Sequence, residues 1–331
     1  MPKVLKNLLI IPILTFILFV AWMIFFAYTP IQLKEQKNDF NLRVGSSVRS
    51  VCQQLVHQGI IYEPWSYEIL VRLTGKSSSI QAGVYEVESG ITPLELIDKM
   101  TNGDARQVSI TFIEGWTFSQ MRSALNQNES IKHLTMPYTN LQILEQIGAK
   151  ETNPEGIFFP DTYYFSPNTS DKDILRRAYK TMQTKLKIAW ENRAKGLPFD
   201  TPYQALILAS IVEKETGRSV ERPKIAGVFV NRLRIGMRLQ TDPTVIYGLG
   251  DRFDGNLRKI DLITDTPFNT YTRAGLPPTP IAMPGLRSIE ASLHPEATKA
   301  IYFVGKGDGT HVFSATLTEH NLAVTKYQLR R

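Results

Sequence analysis

Cysteine is almost missing from this chain. Cys52 is the only one in 331 residues, which excludes an intramolecular disulfide and any CxxC metal site. It lies too far from the apolar N-terminal run to be a lipoprotein acylation site and reads as a buried helix residue. Histidine is sparse as well: His57, His133, His294, His311 and His320 show no HxxxH or HxH spacing, so neither a metal nor a cofactor is expected. A phosphate loop is absent too. Gly305-Lys306-Gly307-Asp308-Gly309 lacks the GxxxxGK[ST] pattern and reads as a hairpin turn between Ile301–Val304 and His311–Phe313.

Charge is absent from one long stretch. Leu8 to Tyr28 carries none, and about 20 apolar residues cross a hydrocarbon core of about 30 Å, so the run reads as a transmembrane helix. Lys3 and Lys6 precede it. The positive-inside rule then keeps residues 1–7 in the cytoplasm and sends everything after Thr29 across, giving a single-pass protein of the cell inner membrane with a periplasmic body. A cleaved signal peptide competes with this reading, but the run is long for such a segment and no small-x-small site follows it. The net charge of +7 calls for an anionic neighbour, phospholipid head groups or the cell wall. Nucleic acid is not an expected partner outside the cytoplasm.

The length implies two or more soluble units after the membrane segment. Residues 29–39 read as a polar stalk. From Phe40 to about residue 105 short strands alternate with helices. Phe40–Val44 and the turn Gly45-Ser46-Ser47 precede Val48, Val51, Cys52 and Leu55 at helical spacing. Gly83–Val87 is strand-like, and Thr92-Pro93 opens a helix with Leu94, Ile97 and Met100 inside. Residues 106–331 form a second unit. Val108–Ile113 is a strand, Phe118–Leu125 and Leu134–Gly148 are helices, and Pro154–Pro167 is a dense aromatic segment. Lys172–Ala194 is a long helix whose Lys and Arg excess faces solvent. The recurrences are too irregular for a solenoid, and the class is α+β.

One helix breaks a local rule. Thr201 is its expected N-cap, Pro202 its first residue and Gly217 a left-handed stop. Its last turn nevertheless holds two acids, Glu213 and Glu215, where the negative end of the helix dipole disfavours a carboxylate by about 0.3–1 kcal/mol. Dipole and apolar neighbours push a carboxyl pKa upward, as a general acid near neutral pH requires. At about 100° per residue the two acids point to nearly opposite sides. Glu215, on the side of Leu208, Ile211 and Val212, is the better placed to face a cleft beyond the helix end. Residues alone leave open that both acids belong to ion pairs with Lys214, Arg218 or Arg222.

Ala209–Thr216, Val230–Gly248, Asn269-Thr270-Tyr271 and Gly275-Leu276-Pro277-Pro278 closely resemble the endolytic murein transglycosylase (YceG-like) family. The resemblance covers essentially the whole chain. It implies a LysM-like α+β subdomain over residues 40–105, where Val44-Gly45-Ser46-Ser47 and Gln81–Tyr85 fit. It also implies a YceG-like catalytic domain over 106–331 that starts near Glu114-Gly115 and has a lysozyme-like active-site helix. The family's essential glutamate falls on Glu215. The implied reaction cuts the β-1,4 bond between N-acetylmuramic acid and N-acetylglucosamine in nascent glycan strands, with one carboxyl acting as acid and then as base to leave 1,6-anhydro ends. Peptidoglycan strands are the implied substrate, and wall synthases and other elongation proteins the implied partners. Gln240, Asp242, Tyr247, Asn269 and Tyr271 are the candidate hydrogen-bonding residues for the sugar chain, and Tyr163 is a candidate stacking surface. Asp242 also has the option of capping a helix, and Arg232 and Arg238 of serving as structural ion-pair partners. A hydrolytic muramidase using Asp242 to activate water, or a non-enzymatic wall-binding scaffold, are the rival readings.

Overall fold

A computed structural model describes residues 3–33, 35–43 and 45–329. Val44 and the side chains of Lys3, Lys6 and Leu8 lie outside the described residues. The chain divides into two compact units, Met1–Val108 with Tyr164–Pro167, and Ser109–Tyr163 with Asn168–Arg331.

The first unit begins with α1 (Lys3–Tyr28), of which Ile10–Tyr28 is long and apolar enough to cross a membrane. It continues through β1 (Lys37–Leu42), α2 (Val48–His57), α3 (Pro64–Leu73), β2 (Gly83–Glu88) and α4 (Pro93–Asn102). Each short helix has a polar start. Ser47 accepts the Ser50 N–H, Glu63 accepts the N–H groups of Trp65 and Ser66, and Thr92 and Glu95 form a reciprocal capping box. β1 and β2 pair antiparallel from Lys37 opposite Glu88 to Leu42 opposite Gly83. Phe40, Cys52, Leu55, Tyr67, Tyr85, Ile97 and Met100 fill the space between the strands and the helices.

Within the stretch expected to be a stalk, Ile31 and Lys37–Asp39 are bonded to the first unit. Ile31 is buried, its N–H donates to the Ile91 carbonyl and its own carbonyl accepts from Gly90. Strand pairing starts at Lys37. The core extends back into α1 through Met23 and Ala27, and Trp22 stacks on Trp65 with ring centroids 5.1 Å apart. Polar composition hid this segment's attachment, which is made by backbone hydrogen bonds and one buried side chain.

The second unit is mainly helical. From Val108 onward the elements are β3 (Val108–Thr111), α5 (Phe118–Gln127), β4 (Ile131–Lys132), α6 (Asn140–Ile147), β5 (Thr162–Phe165), β6 (Thr169–Ser170), α7 (Asp171–Glu191), α8 (Pro202–Glu215), α9 (Arg222–Arg234), α10 (Asp242–Leu249), α11 (Lys259–Ile263), α12 (Leu286–Leu293), β7 (Tyr302–Gly305), β8 (His311–Ser314) and α13 (Leu317–Tyr327), the division between the units falling within β3 and β5. β3 pairs with β5, β4 with β6 in parallel, and β7 with β8 in an antiparallel hairpin. The helix expected from Leu134 starts only at Asn140. The backbone before it is held in a turn, because Asp171 accepts the N–H groups of Leu134 and Thr135 while Arg122 binds the carbonyls of Thr135, Met136 and Tyr138. α8 is the central rod, buried from Ala205 to Val212 and packed by α7, α9, α10 and α12. Gly227 on α9 serves close approach, since a Cβ there would stand 2.6 Å from the Glu296 carbonyl oxygen.

Candidate active site

α8 starts as its sequence requires, with Thr201 and Gln204 closing a capping box. It ends differently from expectation. Thr216 is extended (φ −146°, ψ 133°) and its hydroxyl accepts the Arg218 N–H. Gly217 is not left-handed, because the chain leaves the helix through this extended residue and coils into a 3₁₀ turn at Ser219–Glu221.

The two acids of the last turn go to different surroundings. Glu213 is buried in an ion pair with Arg222 at 2.7 Å, and its other oxygen accepts the Gly285 N–H at 3.0 Å. Both side chains are under a tenth exposed, so each charge depends on the other, and removing one partner of such a pair typically costs about 3–5 kcal/mol. Glu215 instead lines a cavity of about 300 Å³ with Arg232, Gln240, Asp242, Tyr271, Phe303, His311 and His320. Burial lifts its carboxyl from 4.5 to about 7. The Thr241 hydroxyl, donated to Oε1, pulls the value back, Asp242 pushes it up, and His311 and Arg232 draw it down.

Thr241 shows how this is arranged. It stands at the N-cap of α10, where its hydroxyl normally binds the helix backbone, yet no such cap bond forms and the hydroxyl goes to Glu215. Its own N–H is held by the Thr270 hydroxyl at 3.1 Å. A group that ordinarily stabilises a helix start by about 1 kcal/mol is thereby aimed at the carboxyl.

The model of the YceG-like family matches residues 40–326. The chain belongs to the YceG-like family. It is 34% identical over 314 residues to the endolytic murein transglycosylase of Bacillus subtilis, covering 89% of this chain and 86% of that protein. It is 24% identical to the endolytic murein transglycosylase of Streptococcus pneumoniae, across 86% of this chain and 57% of that longer protein. A crystal structure of a yceG-like protein from Listeria monocytogenes superposes with a TM-score of 0.53 at 28% identity, over 87% of this chain and 99% of that one.

Within this YceG-like chain the residues singled out from sequence separate into two groups. Gln240, Asp242 and Tyr271 are on the cavity wall with Glu215. Gln240 has a left-handed backbone (φ 49°) fixed by its N–H to the Thr270 carbonyl. Asp242 is the first residue of α10 rather than its cap, and it accepts the Tyr271 hydroxyl at 2.5 Å. Asn269, Tyr163 and Tyr247 are elsewhere. Asn269 is fully buried. Its amide nitrogen is spent on the carbonyls of Asp261, Leu262 and Thr264 and its oxygen on the Tyr271 N–H, which leaves nothing for a sugar. Tyr163 is a core residue, 5% exposed, bonded to the Phe159 carbonyl and packed on Phe112. Tyr247 donates to Glu155 at 3.1 Å and meets Phe268 edge-on.

The far wall was missed. β7, β8 and α13 contribute Phe303, His311, His320 and Val324. His311 is oriented by Glu221, with 2.8 Å between Nδ1 and Oε2, while its backbone N–H reaches the other oxygen. Arg232 makes no ion pair among the described residues. It clamps the carbonyls of Leu239 and Ile301 and lies under the Tyr302 ring. Arg238 likewise binds the Tyr271 carbonyl.

Proposed function

We propose that this chain is a peptidoglycan lytic transglycosylase in which Glu215 alone carries the proton transfers. Family membership beside proteins named endolytic murein transglycosylase supports the enzyme class. The observation that carries the mechanism is a single half-buried carboxyl with its pKa near 7, open to a cavity and touched on its own side by one hydroxyl. Protonated at neutral pH, it gives its proton to the glycosidic oxygen between N-acetylmuramic acid and N-acetylglucosamine as that bond breaks. Now a carboxylate, it takes the proton of the muramyl C6 hydroxyl, whose oxygen closes on C1 to form the 1,6-anhydro ring. The nucleophile belongs to the sugar, so water and a second catalytic carboxylate are not needed. Gln240, Tyr271 and His311 supply donors and acceptors for N-acetyl and hydroxyl groups along the wall.

One observation favours a rival. Asp242 shares the cavity, and a carboxylate there is what a hydrolytic muramidase needs to activate water. Its bond from Tyr271 argues for a positioning role instead. Mass spectrometry of the sugar ends released from glycan strands in isotopically labelled water separates the two. Unlabelled 1,6-anhydro ends are expected, and labelled reducing ends overturn the transglycosylase reading.

α1 is the membrane anchor in this reading, with the N-terminus cytoplasmic, the enzyme on the outer face of the inner membrane and wall-synthesis proteins beside it. The packing of Met23, Ala27 and Ile31 into the core of the first unit supports retention of the helix over removal as a signal, because cleavage after Tyr28 would open that core. The β1-α2-α3-β2 order with antiparallel strands supports a LysM-like, glycan-holding role for this unit.

A further inference from the structure

We propose that the Tyr62–Trp65 face of the first unit lies in the outer interface of a phospholipid bilayer, so that the unit is seated in the lipid rather than held above it. The proposal rests on the reading of α1 as a membrane anchor and adds where the unit stands along it.

The helix is too short to do otherwise. Trp22 precedes the end of α1 at Tyr28 by about 9 Å along the axis, at about 1.5 Å per residue. Uncharged helix from Leu8 to Ala21 spans only about 21 Å, against a hydrocarbon core of about 30 Å. Beyond that point the helix is flanked by protein: Met23 and Ala27 are buried in the core of the first unit, and α3 and α4 pack alongside. A full crossing therefore brings the flanking surface of the unit down to the level of the lipid boundary.

The surface at that level suits it. Trp65 stacks on Trp22 with 17° between the ring planes and shares its depth. Phe19 and Phe26 extend the same cluster, each 6.0 Å from Trp22. Trp65 is 53% exposed and Tyr62 88%. Such rings collect at membrane interfaces because their bodies are apolar and their N–H or O–H reaches the head groups. The neighbouring charges are already engaged: Glu63 caps α3 and Glu68 pairs with Arg72 at 2.6 Å. The contact is thus apolar, and it does not depend on anionic lipid or fade with salt.

Tyr62→Cys tests this in the full-length protein. Cys52 is fully buried, so a nitroxide reagent marks the new thiol alone, and the exposed position leaves the aromatic stack intact. The labelled protein is reconstituted into phosphatidylcholine vesicles, with and without phosphatidylglycerol, washed in alkaline carbonate and floated. Retention, together with collisions with oxygen exceeding those with a water-soluble nickel complex by about threefold or more in both lipid mixtures, is the expected result for a site at interfacial depth. Retention with the label open to the nickel complex overturns the seating while leaving the anchor, and it is what carbohydrate or a protein on this face would produce. Release in the carbonate wash overturns the anchor and the seating together.

Discussion

Two carboxyls of the second unit are lifted to about 7 by the same cause, burial, and of the two it is Glu215 that lines the cavity described above. Glu155 is 4% exposed, with one oxygen taken by the Phe118 N–H at 3.0 Å and the other by the Tyr247 hydroxyl at 3.1 Å. Glu215 has one oxygen on Thr241 and lines the cavity of about 300 Å³. A high carboxyl pKa therefore does not by itself mark an acid catalyst. What distinguishes Glu215 is an unfilled side. Glu155 ties the segment before Gly156 to the start of α5 and to α10, the helix that begins at Asp242.

The largest expected difference between the two is in turnover. Glu215→Gln should lower glycan cutting by about 10²- to 10⁴-fold, the usual share of general acid–base catalysis. Glu155→Gln should keep it within about tenfold, since surroundings and not proton transfer are altered. Equal losses in assays of released fragments would break the comparison.

Stability should invert that order. Glu155→Leu leaves the Phe118 N–H and the Tyr247 hydroxyl buried without an acceptor, at about 1–3 kcal/mol each, and urea denaturation should show a loss of that size. Glu215→Leu orphans only the Thr241 hydroxyl beside an open cavity, and its loss should be clearly smaller.

A smaller effect appears in the pH dependence of stability. For Glu215 the folded-state value lies above the unfolded 4.5, so the native state binds the proton more tightly. Its contribution is complete below pH 4.5 and disappears as pH rises to about 7. Glu215→Gln cannot titrate, so its melting temperature should gain on the unmodified protein across that window and level off above it. Each kcal/mol is worth about 2–4 °C in a unit of this size. A constant difference from pH 4 to pH 8 would contradict the elevated value.

The finest test is Thr241→Val. The hydroxyl holds the Glu215 pKa down, so its removal should move the alkaline limb of kcat/KM upward by about 0.5–1 pH unit with the fold retained. An unmoved limb would mean that Glu215 is not the titrating acid.

Much of this was legible in the chain. The helix starts at Thr92 and Thr201 carry their own capping signals, β1 begins at Lys37 rather than at Phe40 where the sequence pattern places it, and the misplaced acids at the end of α8 point to the cavity that Glu215 lines. What escaped was nonlocal. His311 meets Glu221 across 90 positions, Arg232 reaches the Ile301 carbonyl across 69, and Asp171 holds the Leu134–Thr135 turn across 37, none with a periodic trace. Asn269 and Tyr163 have side chains suited to binding sugar, but composition cannot reveal that their polar atoms are already used within the fold.

The hairpin of β7 and β8 and the helix α13 complete the cavity from a part of the chain that follows all its other walls. Phe303 and His311 supply the wall that faces Glu215 across the cavity, far from it in the chain. The burial that lifts the Glu215 carboxyl is therefore a property of the folded unit rather than of α8 alone.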